Sequence, residues 1–233
     1  MSFGCDLQAL NFTEAESRAL YSGAKALGVS PFACFTYAAH RACTEVLHQP
    51  FRVIAQQANL QARHFPTAIS TRAIGGLCVD GHLVGDWLVG PVTRVNADYN
   101  LQVAQAGYES MKADVDKFGP KTQKSFMAKA YGLVNCGAGQ FQTLPTYNDD
   151  AHVVDCCLFM NNYGVRSTAN PALEAWNWCA PLWLGINTIN VNGRTTTLIG
   201  SCMWGLEVIE ALRDHIEGTL REIMACAPEA RKA

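Results

Sequence analysis

The sequence predicts an α+β fold in which a mixed, mostly antiparallel sheet is flanked by helices. Three observations predict this class. Two capped helices open the chain, and a long amphipathic helix closes it. Between them, Asp80-Gly81 and Asn192-Gly193 each join two apolar runs, a pattern typical of β-hairpins. No internal repeat or convincing linker interrupts the 233 residues, so one domain is predicted over residues 1–233.

The first helix is predicted to begin after Thr13, because Thr13 and Glu16 have the spacing of a capping box. It ends near Leu27, where Gly28 can adopt the left-handed conformation that terminates many helices. Ser30-Pro31 then starts a second helix, with serine as the cap and proline in the first turn. Its apolar residues recur at helical spacing and predict one buried face.

The middle of the chain predicts extended segments and then helices. The hairpin at Asp80-Gly81 is the clearest signal there. Asp98 is expected to cap a long helix that ends at Phe118-Gly119-Pro120. The other segments predicted in this region are a strand from Phe51 to Ala58, an extended stretch from Leu88 to Val95 and a helix from Lys121 to Val134.

The last third predicts a buried strand, a hairpin and a helix. The strand covers Val153 to Met160 and is expected to end at Asn161-Asn162-Tyr163-Gly164. The hairpin joins Leu182–Val191 to Thr195–Trp204, and the helix from about Leu206 to Ala225 is expected to bury one apolar stripe. Trp176 to Pro181 is predicted to be an aromatic-rich loop. The buried positions expected on the last helix are Ile209, Leu212, Ile216, Leu220 and Ile223.

Composition narrows the classes of function. The formal net charge is −2 and charged residues make up 16%, which does not favour a nucleic-acid-binding surface. No stretch has the apolar length of a transmembrane helix, and the first residues do not resemble a signal peptide. We therefore expect an intracellular, soluble protein, in the cytoplasm or in an organelle after removal of a leader. The ten cysteines contain no Cys-x-x-Cys pair and are interpreted mainly as small buried apolar residues.

Four segments together resemble one family of folds. They are FTEAESRALYSGAKALGVSPFACFTYAAHRACTEV, VDGHLVGDWLVGPVTRVNADYNLQVAQAGYESMKADV, VVDCCLFMNNYG and PLWLGINTINVNGRTTTLIGSCMW. This order resembles the chloramphenicol acetyltransferase-like fold, which includes condensation domains and wax ester synthases. The resemblance covers nearly the whole chain and is to the C-terminal half-domain of the two-half enzymes. It implies an active-site tunnel between two such halves.

The family's chemistry uses a His-His-x-x-x-Asp-Gly motif, in which the second histidine is the general base. His82 and Asp86 have the corresponding spacing, but Gly81 stands in place of the first histidine and Trp87 in place of the glycine. The segment also follows a hairpin turn and leads into a strand, whereas the motif lies between a strand and a helix. These departures favour a hairpin histidine, and His82 with Asp86 remain the candidate catalytic pair.

In chloramphenicol acetyltransferase the motif lies at the turn between the last strand and the last helix. Here that turn is Ser201-Cys202-Met203-Trp204-Gly205-Leu206, which contains neither His nor Asp. Cys202 is a candidate nucleophile if His152 or His215 approaches it, although a buried strand cysteine is favoured. The histidine and cysteine spacings indicate no metal site. The resemblance places Asn161, Asn162, Tyr163 and Gly164 beside the substrate.

The resemblance implies half of a coenzyme A-dependent acyltransferase, transferring an acyl group from a thioester to a hydroxyl or amine and completed by a partner half. No bound cofactor is expected, with acyl-CoA as a possible substrate. The alternative is a catalytically inactive structural or ligand-binding subunit of a larger complex. A third interpretation is a homotrimer that uses His82 or His152 as a divergent base. Each implies a protein partner or a homo-oligomer, and none implies nucleic acid.

Overall fold

The computed structural model describes residues 6–49, 53–56, 77–79, 82–84, 93–94, 98–117, 157–166 and 184–228. The predicted helix from Lys121 to Val134 and the loop from Trp176 to Pro181 lie outside these residues. In chain order the described elements are β1 Asp6–Phe12, α1 Glu14–Ala26, α2 Pro31–Val46, β2 Val53–Gln56, β3 Leu77–Val79, β4 His82–Val84, β5 Thr93–Arg94, α3 Leu101–Lys117, β6 Cys157–Arg166, β7 Leu184–Val191, β8 Arg194–Ser201 and α4 Leu206–Met224.

Six of the described strands form one mixed sheet in the order β1-β8-β7-β6-β2-β5. The β1–β8, β8–β7 and β2–β5 pairs are antiparallel, whereas β7–β6 and β6–β2 are parallel. The predicted α+β class with a mixed sheet is therefore confirmed. Strand β1 has no counterpart in the sequence prediction, although it forms one edge of this sheet.

The caps predicted for the first two helices are present. Glu16 N donates to Thr13 Oγ1 at 3.2 Å and Thr13 N donates to Glu16 Oε2 at 2.9 Å, which completes the capping box. Gly28 has φ +71° just beyond α1. The Ala33 amide donates to Ser30 Oγ at 3.2 Å, so Ser30 caps α2 as predicted.

The cap of α3 differs from the prediction. Asn100 Oδ1 accepts from the amides of Gln102 at 3.0 Å and Val103 at 3.1 Å, so Asn100 caps the helix and the prediction of Asp98 was wrong. Asp98 instead offers its backbone carbonyl to Asn100 Nδ2 at 3.1 Å. Asp and Asn are both favoured cap residues, so the residue that caps the helix is decided by where the backbone enters it.

The hairpin between β7 and β8 has the predicted two-residue turn. Asn192 and Gly193 both have positive φ, 50° and 88°, as a type I′ turn requires. Val191 pairs with Arg194 at the base of the turn. Strand β8 ends at Ser201, and Cys202 to Trp204 lie in the following turn. The prediction that the strand continues to Trp204 was therefore wrong.

One face of the sheet packs against the helices. Leu212, Ile216 and Leu220 of α4 are fully buried and belong to one core with Ile186 and Ile199 of the sheet. Burying a side chain of this size contributes about 1.5–3 kcal/mol. All five positions predicted for the buried stripe of α4 are buried. Among the described helices, none has both the length and the apolar character needed to cross a membrane.

Helices α1 and α4 cross in backbone contact at Gly23. A Cβ atom added at Gly23 would lie 2.0 Å from the carbonyl oxygen of Ile223, far inside van der Waals contact. The glycine is therefore required by the close approach of two helices rather than by its backbone conformation. It sets the distance at which α4 lies over the first helix.

Exposed ion pairs connect the helices at the outer surface. Arg41 of α2 contacts Glu222 of α4 at 2.6 Å, and His215 Nδ1 of α4 lies 2.9 Å from Glu45 Oε2 of α2. Arg221 reaches Glu16 of α1 at 3.1 Å. Surface pairs of this kind contribute about 0–1 kcal/mol each, so the apolar core is the dominant stabilising contribution.

Candidate functional site

The two faces of the central strands β7 and β8 are distinguished by their contacts with α1. Tyr21 of α1 hydrogen-bonds to the side chains of Asn190 and Thr195, so those residues lie on the face that packs against the helices, here called the near face. Side chains alternate along a strand. Asn187 of β7 and Leu198 of β8 therefore lie on the opposite face, here called the far face.

The near face carries a closed set of polar contacts. Asn190 Nδ2 donates to Thr195 Oγ1 at 2.9 Å, and Asn190 Oδ1 accepts from the Gly193 amide at 3.1 Å. Thr188 and Thr197 share a hydroxyl hydrogen bond. The Thr195 amide donates to Ser17 Oγ of α1 at 2.9 Å. These contacts bind α1 to the β7–β8 hairpin and are interpreted as structural.

The far face contains two features that bear on ligand binding. Asn161 of β6 is in register with Asn187 of β7, so two amide-bearing residues are adjacent on parallel strands. Asn187 is only 3% exposed. One pleat away, Gly185 of β7 is directly opposite Gly200 of β8. Paired glycines in strand interiors leave a strip without side chains, where another group can approach the backbone closely.

A β-bulge lies at the end of β6. Asn162 pairs with Thr188 and Val165 pairs with Asn190, so three steps on β6 match two steps on β7. Asn162 Oδ1 accepts from the Gly164 amide at 2.8 Å, and Gly164 has φ +68°. The prediction that the Asn-Asn-Tyr-Gly segment ends the strand was wrong, because β6 continues through it to Arg166. Bulges of this kind are common beside binding sites because they redirect side chains.

The four residues predicted to lie beside substrate thus occupy consecutive positions in β6, from its middle to the bulge. Gly164 is exposed, and a Cβ atom there would have no neighbour within 4 Å. Their role in binding stays a prediction. Gly185, Asn187 and Gly200 were not identified from sequence, since they lie within apolar strands and are recognised only through strand register.

The predicted catalytic histidine lies in a separate two-stranded sheet. His82 begins β4 and pairs with Val79 of β3, which confirms the hairpin pairing. Asp80, Gly81 and Asp86 lie outside the described residues. The sequence context that favours a hairpin histidine therefore agrees with its position, and the catalytic role of His82 and Asp86 stays a prediction.

The turn between β8 and α4 spans Cys202 to Gly205. Gly205 is the cap residue of α4 and provides no side-chain hydrogen bond, while the Met203 amide donates to Ser201 Oγ at 2.9 Å. Cys202 is partly buried. His215 does not support a Cys-His pair, because it contacts Glu45 and lies more than two helical turns along α4. His152 is outside the described residues.

Other titratable residues are buried in the helix layer. His40 is 8% exposed, its ring centroid lies 4.8 Å from that of Tyr99, and burial lowers its pKa. Burial raises the pKa of Tyr99 to about 12 and that of the Cys34 thiol to about 12. Cys34 and Cys43 are fully buried, as predicted. Within the described residues, no three metal-binding side chains come together.

Comparison with known proteins identifies the fold. No protein-family model matches the sequence, and no curated protein is significantly similar. Solved structures do match. The epimerization domain from the third module of tyrocidine synthetase B has a TM-score of 0.60 at 11% identity, over 98% of this chain and 50% of that chain. The wax ester synthase/diacylglycerol acyltransferase from Marinobacter aquaeolei VT8 has a TM-score of 0.52 at 12% identity, over 96% and 49%.

A third match is the structure described as the "molecular basis for condensation domain-mediated chain release from the enacyloxin polyketide synthase". Its TM-score is 0.53 at 11% identity, over 98% of this chain and 42% of that chain. The chain thus shares the fold of these structures, as the resemblance in its sequence implied. It spans about half the length of these matching chains.

Proposed function

We propose that this chain is a half-domain of a coenzyme A-dependent acyltransferase-like protein, which lacks its own His-His-x-x-x-Asp-Gly motif and forms one wall of a substrate tunnel with a partner half. The proposal is supported by the fold and by the half-length match to larger chains. One observation carries it further: the turn between β8 and α4, where the resemblance places the motif, contains neither His nor Asp.

Aligning the seven-residue motif with this turn shows which of its residues this chain lacks. Seven residues that end at Gly205 begin at Ile199, and none of them is His or Asp. Ile199 is fully buried in the core, and Trp204 occupies the position of the aspartate. General-base catalysis requires a proton acceptor within hydrogen-bond reach of the nucleophile. The proposed partner half supplies that acceptor.

The proposed contribution of this chain is a wall that positions the acyl-thioester. Asn161, Asn162, Tyr163 and Gly164 form the strand segment assigned to it, and Asn187 extends it onto β7. Amide side chains both donate and accept hydrogen bonds without adding charge. Such groups suit a neutral thioester and the amide groups of a coenzyme A arm better than an ionic substrate.

The test is the mass and composition of the complex isolated from its native source, followed by an acyl-transfer assay on that complex. We expect a stoichiometric partner that carries His-His-x-x-x-Asp-Gly, and release of free coenzyme A from acetyl-CoA when a hydroxyl or amine acceptor is present. A complex with such a partner that releases no thiol above the rate in buffer contradicts the assignment.

The second candidate function is a catalytically inactive structural or ligand-binding subunit on the same fold. The buried Ile199 and the cap Gly205 favour it equally, because neither can transfer a proton. The composition of the complex discriminates between the two. Association only with proteins that lack the motif supports the inactive subunit.

A further inference from the structure

The turn between β7 and β8 contains the only Asn-Gly pair in the sequence, Asn192-Gly193. Asn192 is exposed and has φ +50°, in the left-handed region. In such a pair the backbone nitrogen of the glycine can attack Cγ of the asparagine, because the glycine has no side chain that blocks the approach. The sequence that forms this turn is therefore also the sequence in which deamidation is chemically easiest.

Deamidation of an Asn-Gly pair proceeds in two steps. The Gly193 nitrogen forms a bond to Asn192 Cγ, the bond from Cγ to the side-chain nitrogen breaks, and ammonia leaves with the proton of the Gly193 nitrogen. The product is a cyclic imide. Water then opens the ring at either carbonyl and leaves an aspartate or an isoaspartate at position 192. In the isoaspartate the main chain runs through the side-chain carbons, so the backbone of the turn is one atom longer.

The hairpin holds the attacking nitrogen in a hydrogen bond. Gly193 N donates to Asn190 Oδ1 at 3.1 Å, so its proton points to an acceptor other than the Asn192 side chain. Asn190 is only 4% exposed, and its Nδ2 donates to Thr195 Oγ1 at 2.9 Å. Tyr21 of α1 also hydrogen-bonds to Asn190. The Gly193 nitrogen is therefore able to react only when the turn opens locally and this bond breaks.

Helix α1 packs closely against the same turn. A Cβ atom added at Gly193 would lie 2.9 Å from Cγ of Glu14, inside van der Waals contact. Val191 pairs with Arg194 at the base of the turn, which leaves two residues to connect the strands. A backbone that is one atom longer does not fit a two-residue type I′ turn. The isoaspartate product is therefore expected to loosen the contact between the hairpin and α1.

We propose that Asn192 is a site of spontaneous deamidation, that the folded hairpin slows the reaction through the bond from Gly193 to Asn190, and that the isoaspartate product loosens the hairpin. The reaction consumes only water and releases only ammonia. It concerns the turn and the near face, so it does not depend on the proposed acyl-transfer function.

The first test compares the folded wild-type chain with the same chain unfolded in urea, both incubated at one mildly alkaline pH. Chromatography and mass spectrometry of proteolytic peptides measure asparagine, aspartate and isoaspartate at position 192. The unfolded chain should deamidate there at least about tenfold faster, because the bond that holds the Gly193 nitrogen is absent. Equal rates overturn the proposal, and so does an unfolded chain that forms no product at position 192.

Two variants separate the role of Asn190 from general stability. Asn190→Ala removes the acceptor of the Gly193 amide and should raise the rate in the folded chain at least about tenfold. Ser17→Ala is the matched control, since it removes the buried bond from the Thr195 amide to Ser17 Oγ and leaves the Gly193 bond in place. It should change the rate far less. Equal acceleration in the two variants contradicts the role of Asn190.

The effect of the product is measured on the wild type. Chromatography separates the chain that carries isoaspartate at position 192 from the unreacted chain. The isoaspartate form should unfold at a lower urea concentration, because its longer turn disturbs the pairing of Val191 with Arg194. Coinciding unfolding midpoints contradict the loosening of the hairpin.

Discussion

The near and far faces of strand β7 each carry a buried asparagine, and the two residues have different surroundings. Asn190, on the near face, uses both its amide nitrogen and its amide oxygen within the hairpin: Nδ2 donates to Thr195 Oγ1, and Oδ1 accepts from the Gly193 amide. Asn187, on the far face, is adjacent to Asn161 on a parallel strand and lies one pleat from a pair of opposed glycines. The same residue type thus has different surroundings on the two faces, and only the far face is proposed to contact a ligand.

The comparison depends on tight packing of the helices that cover the near face. The largest effect is expected from a variant that disturbs this packing. Gly23→Ala should lower the free energy of unfolding by about 2–3 kcal/mol, because the new methyl group overlaps the Ile223 carbonyl. Gly218→Ala is the matched control in α4, where a Cβ atom has no neighbour within 4 Å, and it should raise stability by about 0.5–1 kcal/mol. Urea unfolding measures both. Equal effects at the two glycines would contradict a backbone contact between α1 and α4.

The structural role of Asn190 gives the next largest effect. Asn190→Ala should cost about 1–3 kcal/mol, because Thr195 Oγ1 and the Gly193 amide lose their partner in a buried site. Asn192→Gly is the control in the same hairpin and should be nearly neutral, since glycine tolerates the positive φ of that position. Thermal unfolding of both variants is the measurement. If Asn190→Ala leaves stability unchanged, the near-face polar contacts are not structural.

The proposed role of β6 in substrate binding is tested at the bulge. Asn162→Ala should lower acyl transfer by the native complex about tenfold, while costing less than about 1 kcal/mol of stability because the residue is exposed. Asn11→Ala is the control, since it also removes an exposed side-chain hydrogen bond, to Thr196, but lies on β1. For each variant, the change in transfer rate is compared with the change in unfolding free energy, which separates a role in binding from a role in stability. Parallel losses in both variants would count against the assignment of β6 to substrate.

A smaller effect concerns the helix layer behind the near face. Burial lowers the pKa of His40 below its usual 6.5, so the folded state binds fewer protons than the unfolded state as pH falls below 6.5. Stability should therefore be complete above pH 6.5 and should decline as pH falls through the lowered pKa. Urea unfolding at pH 7.5 and 5.5 measures this. His40→Gln should flatten the decline, and His48→Asn, at an exposed position, should not.

The last prediction is that one variant has no effect on acyl transfer. His82→Ala should leave acyl transfer by the native complex unchanged, because the base is proposed to come from the partner half. The rate of coenzyme A release from acetyl-CoA, compared with wild type, is the measurement. A large loss of transfer would return His82 and Asp86 to the catalytic role that their spacing suggests.

Local chemistry predicted much of the fold. The capping box at Thr13, the serine cap at Ser30 and the Asn192-Gly193 turn all depend on residues close in sequence, and all are present. Strand β1 was not predicted, because a seven-residue stretch without flanking turn residues has no local signal and is defined by pairing with β8. The cap of α3 was assigned to Asp98 because sequence does not fix the residue at which a helix begins.

The candidate site was predicted in part. The Asn161 to Gly164 segment was assigned to substrate by its resemblance to the family, in which this region lies close to the tunnel. Its continuation as a bulged strand was not foreseen, since the bulge depends on the register with β7. Asn187 lies within the apolar run of β7, and nothing local distinguishes it from Asn190. Only the contacts with α1 show which of the two faces the helices.

The contacts of the first and last elements have a consequence for biosynthesis. Thr195 bonds to Ser17, Arg221 contacts Glu16 and Gln8 Nε2 donates to Glu210. Residues of β1 and α1 therefore have partners that are synthesised about 180–200 positions later. Ribosomes add roughly 5–20 residues per second. Strand β1 and helix α1 therefore emerge roughly ten to forty seconds before β8 and α4 can cover them. During that interval the nascent chain exposes Leu10, Phe12 and Leu20, which makes its first segment a target for chaperones that bind apolar sequences.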